Sequence, residues 1–306
     1  MICQMSKLAI KSSFQMKINE ALKHYSLVPT RYQKRGKVSI VGTNKGTFVF
    51  KNQKLNLEIL NYLRSRNFDY MPRFINDIRH DEYQITEYLS DLDIPKEQKI
   101  LDLIHLVALL HSKTTHYKEI DLDDYETIYE DIDNNLNYLY SYYTDIITLI
   151  ENKVFMSPSE YLLARNITKI YDSIDRCKNM LEDWYKLIKD KRKQRQVVLH
   201  NNLKLDHFIR NESSYLISWD KAKIGNPVFD LYKLYRNHAL DFDFSDILNE
   251  YESHYPLMKD ERALFHTLIS MPSLIEFNDT EYNMCMKISK DIDIIYKTER
   301  LTTKKA

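Results

Sequence analysis

Glycine is scarce and unevenly placed in this chain. Its 306 residues contain four, and three of them, Gly36, Gly42 and Gly46, fall in one short stretch. Glycine reaches left-handed backbone without steric cost, so the capacity for tight reversals is concentrated there. The neighbouring runs have a matching pattern. Residues 26–32, 37–41 and 47–51 are β-branched or aromatic and read as strands. Gln33, Lys34, Arg35 and Gly36 separate the first two, and Thr43, Asn44, Lys45 and Gly46 turn between the next two. A three-stranded antiparallel meander follows.

The period of the apolar pattern places the other elements. Residues 5–24 read as an amphipathic helix. Residues 55–66 read as another, with Leu57, Ile59, Leu60 and Leu63 on its apolar face. Two more strands are expected at 73–78 and 83–88, joined by a polar turn at His80 and Asp81. Residues 90–96 are polar, contain Pro95 and mark a boundary. Beyond it the helical period dominates: residues 99–112 align Ile100, Leu103, Ile104, Val107 and Leu110 on one face. A long helix is expected at 124–154. Ser157, Pro158 and Glu160 then supply a cap, an N1 proline and an N3 glutamate for a helix running to about 189. The basic run 189–195 reads as its solvated end. Residues 197–199 and 215–218 read as a short hairpin that Trp219 packs onto the helical part. Helices follow to the end.

The chain is therefore expected to be α+β. Residues 1–90 would form a small β-rich lobe, 91–97 a linker, and 98–306 a helical lobe carrying the segment 198–235. Lys plus Arg and Asp plus Glu both total 44, which argues against a global field for nucleic acid. Cys3, Cys177 and Cys285 stand far apart, so a zinc ribbon or disulfide framework is not expected and a reducing cytoplasm fits. The first residues lack the apolar core of a signal peptide. No run approaches the roughly 18 apolar residues of a membrane span.

Residues 198–235, VLHNNLKLDHFIRNESSYLISWDKAKIGNPVFDLYKLY, carry the chemistry. With the layout above, they resemble the aminoglycoside phosphotransferase and choline-kinase-like branch of the two-lobed protein-kinase-like fold. Within that branch the layout is most similar to the spore-coat kinase-like group, through the long helical pair at 124–189 and the segment 268–274. The resemblance implies ATP and Mg²⁺ as cofactors, and a nucleotide or small-molecule ligand in the cleft between lobes. It also implies roles for residues. Lys51 matches the strand lysine that grips phosphate, and Glu58 its carboxylate partner. His200 and Asp230 match residues that brace the catalytic loop.

The chemical positions are changed. Where the family has His-Gly-Asp, four residues and Asn, this chain has His200, Asn201, Asn202, four residues and His207. Asn202 therefore stands at the catalytic aspartate position. Where the family has Ile-Asp-Trp and an acid, this chain has Ile217, Ser218, Trp219 and Asp220, so Ser218 stands at the main metal position. Asparagine cannot serve as a carboxylate base. Serine lacks the charge that Mg²⁺ prefers, and an imidazole such as His207 suits softer metals. Asp206 and Asp220 are the acids that could substitute.

Three readings stand at this point. One is a catalytically impaired member that binds a nucleotide or metabolite, or serves as a scaffold for a protein partner. Another is an active ATP-dependent kinase of a small hydroxyl or amine acceptor, with rearranged metal ligands. In the third the resemblance is coincidental, and a fold without the five-stranded N-terminal sheet would favour it.

Overall fold

The computed structural model describes residues 18–36, 38–52, 55–75, 83–120, 122–189 and 191–303. By internal packing they form two units. One comprises the chain up to Lys99 together with Leu205–Ala222; the other comprises Ile100–Lys204 and everything from Lys223 onward. The segment 198–235 is thus divided between them.

In the first unit, residues 18–24 are helical (α1); the earlier part of that expected helix lies outside the described residues. Strands β1 (Pro29–Arg35), β2 (Val38–Thr43), β3 (Gly46–Lys51) and β4 (Gln84–Glu87) form one antiparallel sheet in sequential order. The expected reversal joins β2 and β3, pairing Thr43 with Gly46, whose φ of 125° only glycine adopts freely. Edge strand β1 is exposed along its length and carries Arg31, Lys34 and Arg35, charges that discourage a second sheet from pairing there. Val41, Phe50 and Ile85 are fully buried beneath Ile18, Ala21 and Leu22 of α1, each large side chain contributing roughly 1.5–3 kcal/mol.

Of the strand expected at 73–78, only residues 73–75 are described, and they form no extended ladder. Phe74 makes a single bridge to Thr86, and residues 76–82 lie outside the described residues. Helix α2 (Leu57–Ser65) starts at Asn56, whose side chain accepts from the Glu58 and Ile59 amides.

The second unit is built on long helices. These are α3 (Lys96–Thr114), which belongs to this unit from Ile100 onward, α4 (Leu122–Glu151) and α5 (Pro158–Lys189), followed by α6 (Val228–His238), α7 (Phe244–His254), α8 (Lys259–Ser270) and α9 (Glu281–Thr303). The capping box predicted at 157–160 is present: the Ser157 amide donates to Glu160 Oε2 at 2.9 Å, and Ser157 Oγ accepts from the Glu160 amide at 3.4 Å. Helix α5 packs on α4, α8 and α9. Its small residues allow close approach, with Ser173 Oγ donating to Ser270 O at 2.8 Å and Cys177 Sγ to Thr267 O at 3.2 Å.

Three expectations are corrected. The basic run does not end wholly in solvent, because Arg195 turns inward and donates to the buried Glu261 at 2.9 Å. The strand there, β6 (Lys193–Leu199), begins earlier than predicted and lies between β5 (His116–Glu119) and β9 (Lys223–Gly225). The predicted hairpin of 197–199 with 215–218 is absent; β7 (Phe208–Arg210) pairs instead with β8 (Ser214–Leu216). That hairpin belongs to the first unit, so Trp219 packs edge-on against Phe68, centroids 5.9 Å apart. No helix among the described residues is long and apolar enough to cross a membrane.

Candidate nucleotide site and loop brace

The site residues fall into two groups, one in each unit. In the first unit, β3 ends on Lys51, and its ammonium donates to Asp220 Oδ1 at 2.6 Å. Both side chains are largely shielded, at 15% and 12% exposure, so the pair is stronger than a surface ion pair. Asp220 is held in place by the turn that contains it. The Ile217 amide donates to His207 O at 2.9 Å, and Trp219 Nε1 donates to Leu216 O at 2.8 Å. Ser218 adopts φ 68° and ψ 52°, left-handed backbone that costs a non-glycine residue about 1–2 kcal/mol.

Lys51 and Ser218 border a cavity of about 460 Å³, within the usual range for small-molecule sites. Val38, Ile40 and Val49 of the sheet give it an apolar wall, and Phe208 and Ile217 line it from the β7–β8 segment. Asp206 lies on its rim, exposed, with no ion-pair or hydrogen-bond partner among the described residues. Glu58 is not the partner of Lys51. It is exposed in the first turn of α2, where its amide binds Asn56, and the carboxylate on Lys51 is that of Asp220.

In the second unit, β6 delivers His200, Asn201 and Asn202. Asp230 of α6 is fully buried and accepts from the His200 amide at 2.8 Å and the Asn201 amide at 2.7 Å. His111 of α3 faces the same carboxylate, Nε2 to Oδ2 3.3 Å, and its Nδ1 lies 2.7 Å from the Tyr251 hydroxyl of α7. Burial, more than the neighbouring Tyr255, holds the Tyr251 hydroxyl well above the usual phenol range. It therefore stays protonated, and the hydrogen bond it shares with Nδ1 orients the ring so that Nε2 faces Asp230. Asn201 has φ 59° where the motif has glycine; asparagine is among the residues that best tolerate this region. Lys233 fixes it further, donating to its carbonyl oxygen at 2.9 Å and to its side-chain oxygen.

Sequence reasoning missed His111, Tyr251 and Lys233. A signal existed for His111, a polar residue directly after Leu110 on the apolar face of α3. Lys233 and Tyr251 sit in ordinary amphipathic patterns.

Comparison with known proteins addresses the fold. Residues 156–264 match the family described as phosphotransferase enzyme family. No curated protein matches by sequence. Among solved structures, an aminoglycoside phosphotransferase from Alicyclobacillus acidocaldarius superposes with TM-score 0.69 at 11% identity, over 91% of this chain and 94% of that one. Spectinomycin phosphotransferase in its AMP-bound complex gives 0.60 at 12%, over 92% and 97%. The fold is that of the aminoglycoside phosphotransferases and choline kinases. A choline kinase from Streptococcus pneumoniae gives 0.50 at 16%, over 92% and 99%.

Set on the phosphotransferase fold, the residues present do not fit the magnesium set implied by the motif. Ser218 offers a neutral hydroxyl, and Asp220, the next acid along the motif, is occupied by Lys51. His207 contributes its carbonyl oxygen to the turn.

Proposed function

We propose that this chain binds a nucleotide such as ATP in the cavity of its first unit and has lost phosphoryl transfer. The observation that carries the reading is the Lys51–Asp220 pair beside a neutral Ser218. A hard divalent cation needs carboxylate oxygens, and the acid nearest that position is neutralised by an ammonium. Asn202 can orient an acceptor by hydrogen bonds but cannot take its proton as a carboxylate does. Nucleotide binding is the simpler demand. The apolar strand residues suit a base and ribose, and Lys51 suits a phosphate oxygen. Solved structures with this fold hold AMP, or ADP with spectinomycin. A cytoplasmic location and a scaffolding role toward a protein partner are compatible with this reading.

Calorimetry with ATP tests it. Saturable binding that gains little from Mg²⁺ or Mn²⁺, with no phosphate released or transferred, is the expected result. Robust turnover that disappears in Lys51→Ala would overturn it.

One observation favours a second reading, an active kinase of a small hydroxyl or amine acceptor. The Asp206 carboxylate stands unpartnered, among the described residues, at the rim of the same cavity. That reading expects turnover lost in Asp206→Asn while ATP binding is kept.

A further inference from the structure

The second unit contains a side-chain cluster that neither reading uses. His105 stands on α3; Glu250 and His254 stand on α7. Glu250 and His254 are four residues apart, so they share one face of their helix. His105 Nδ1 lies 3.7 Å and His254 Nε2 3.2 Å from the same carboxylate oxygen, Glu250 Oε1. The two imidazole rings have centroids 4.3 Å apart, and the three ligand atoms all lie within 4.8 Å of one another.

This is a donor set for a late first-row cation. Imidazole suits zinc, copper and nickel, and a carboxylate completes the three protein ligands of an open zinc site. A tetrahedral ion with bonds near 2.1 Å requires ligand atoms about 3.3 Å apart. The two distances to Glu250 Oε1 approach that value already. The histidines are 55% and 44% exposed, so closing the third edge requires only side-chain rotation at the surface.

We propose that His105, Glu250 and His254 bind a Zn²⁺-class divalent cation, with water in the fourth position, and that the ion clamps α3 to α7. The placement gives the clamp a consequence. The same two helices are joined internally by Tyr251 and His111, and His111 faces the Asp230 carboxylate that holds the His200 and Asn201 amides. Fixing α3 against α7 at the surface therefore stiffens the brace beneath the loop. The site owes nothing to nucleotide binding.

Zn²⁺ titration of the full chain by calorimetry in a non-chelating buffer tests the proposal, with Co²⁺ absorbance reporting coordination geometry. One ion per chain is expected, with a tetrahedral Co²⁺ spectrum. His105→Ala and His254→Ala should each weaken binding about tenfold or more, since each removes one of three ligands. Both side chains are surface groups, so in EDTA these variants should melt with the wild type. Zn²⁺ should raise the melting temperature and slow amide exchange at His200 and Asn201 in the wild type, and do neither in the double variant. Unchanged Zn²⁺ binding in the double variant, or no saturable binding in the wild type, would reduce the cluster to surface hydrogen bonding. Loss in His254→Ala but not in His105→Ala would remove the clamp.

Discussion

The segment 198–235 treats its fully buried positions and its cavity-facing positions differently. In the second unit, His200 and Asp230 match the motif, are fully buried, and are tied to the backbone and to each other. In the first unit, Ser218 stands at a position the motif gives to an acid and is half-buried at a cavity, and Asp206 is exposed at the same cavity's rim. The contrast is physical. A buried carboxylate is tolerable only when its hydrogen bonds are complete, so changing Asp230 penalises folding itself. A residue bordering a cavity keeps its access to water, so changing it alters chemistry and leaves the fold intact. The frame can therefore outlast the reaction.

Asp230→Ala is the most direct way to break the comparison. It strands the buried His200 amide and the half-buried Asn201 amide and removes the carboxylate that faces His111, which should cost about 3–5 kcal/mol in denaturant unfolding. Asp230→Asn keeps an acceptor oxygen for one amide and should cost about 1–3 kcal/mol. A loss below about 0.5 kcal/mol for the alanine variant would mean that the brace carries no stability.

Asn201→Ala comes next. Alanine tolerates φ 59° less well than asparagine and cannot bond Lys233 through its side chain, so about 1–2 kcal/mol should be lost. Asn201→Gly should cost less, because glycine restores the backbone freedom and forfeits only the side-chain bond. Equal melting temperatures for the two variants would show that the left-handed backbone is not the source of the cost.

These two residues also show what was legible in the sequence. The α+β order, the β2–β3 turn and the start of α5 follow local rules of period, glycine and capping, and could be read directly. Asn202, His207 and Ser218 could be found because they sit at fixed spacing from His200 and Trp219. The partner of Lys51 could not. Glu58 fitted the motif by order, but Asp220 is 169 positions away in the chain and meets Lys51 only because the β7–β8 hairpin packs in the first unit. The paired strands β5, β6 and β9 were hidden for the same reason, since short strands joined across long helices have no local signature.

In the first unit, Lys51 and Asp220 should give opposite effects. Lys51→Ala removes the only cation of that pair and should raise the Kd for ATP about tenfold, or about 1.4 kcal/mol. Asp220→Asn releases the ammonium for phosphate and should tighten ATP several-fold, at some cost in stability because the pair is shielded. If both substitutions weaken ATP equally, the pair acts as a unit in binding and the competition between Asp220 and phosphate is wrong.

The smallest expected change in stability belongs to Ser218→Asp, and it sharpens the comparison most. Position 218 is left-handed, and aspartate is among the residues enriched in that region. It also borders the cavity, so the new carboxylate keeps its water. Unfolding free energy should therefore shift by no more than about 0.5 kcal/mol. What changes is the field for a hard cation. ATP affinity, expected on the proposed reading to be flat in Mg²⁺ for the wild type, should rise about tenfold with Mg²⁺ in this variant. On the same reading, adding Asn202→Asp places a carboxylate at the position the motif gives to the base and should bring measurable transfer that the wild type lacks. If the wild type already gains the same tenfold from Mg²⁺, Ser218 is no obstacle to the metal, and the cavity-facing part of the segment has kept the chemistry that its letters deny.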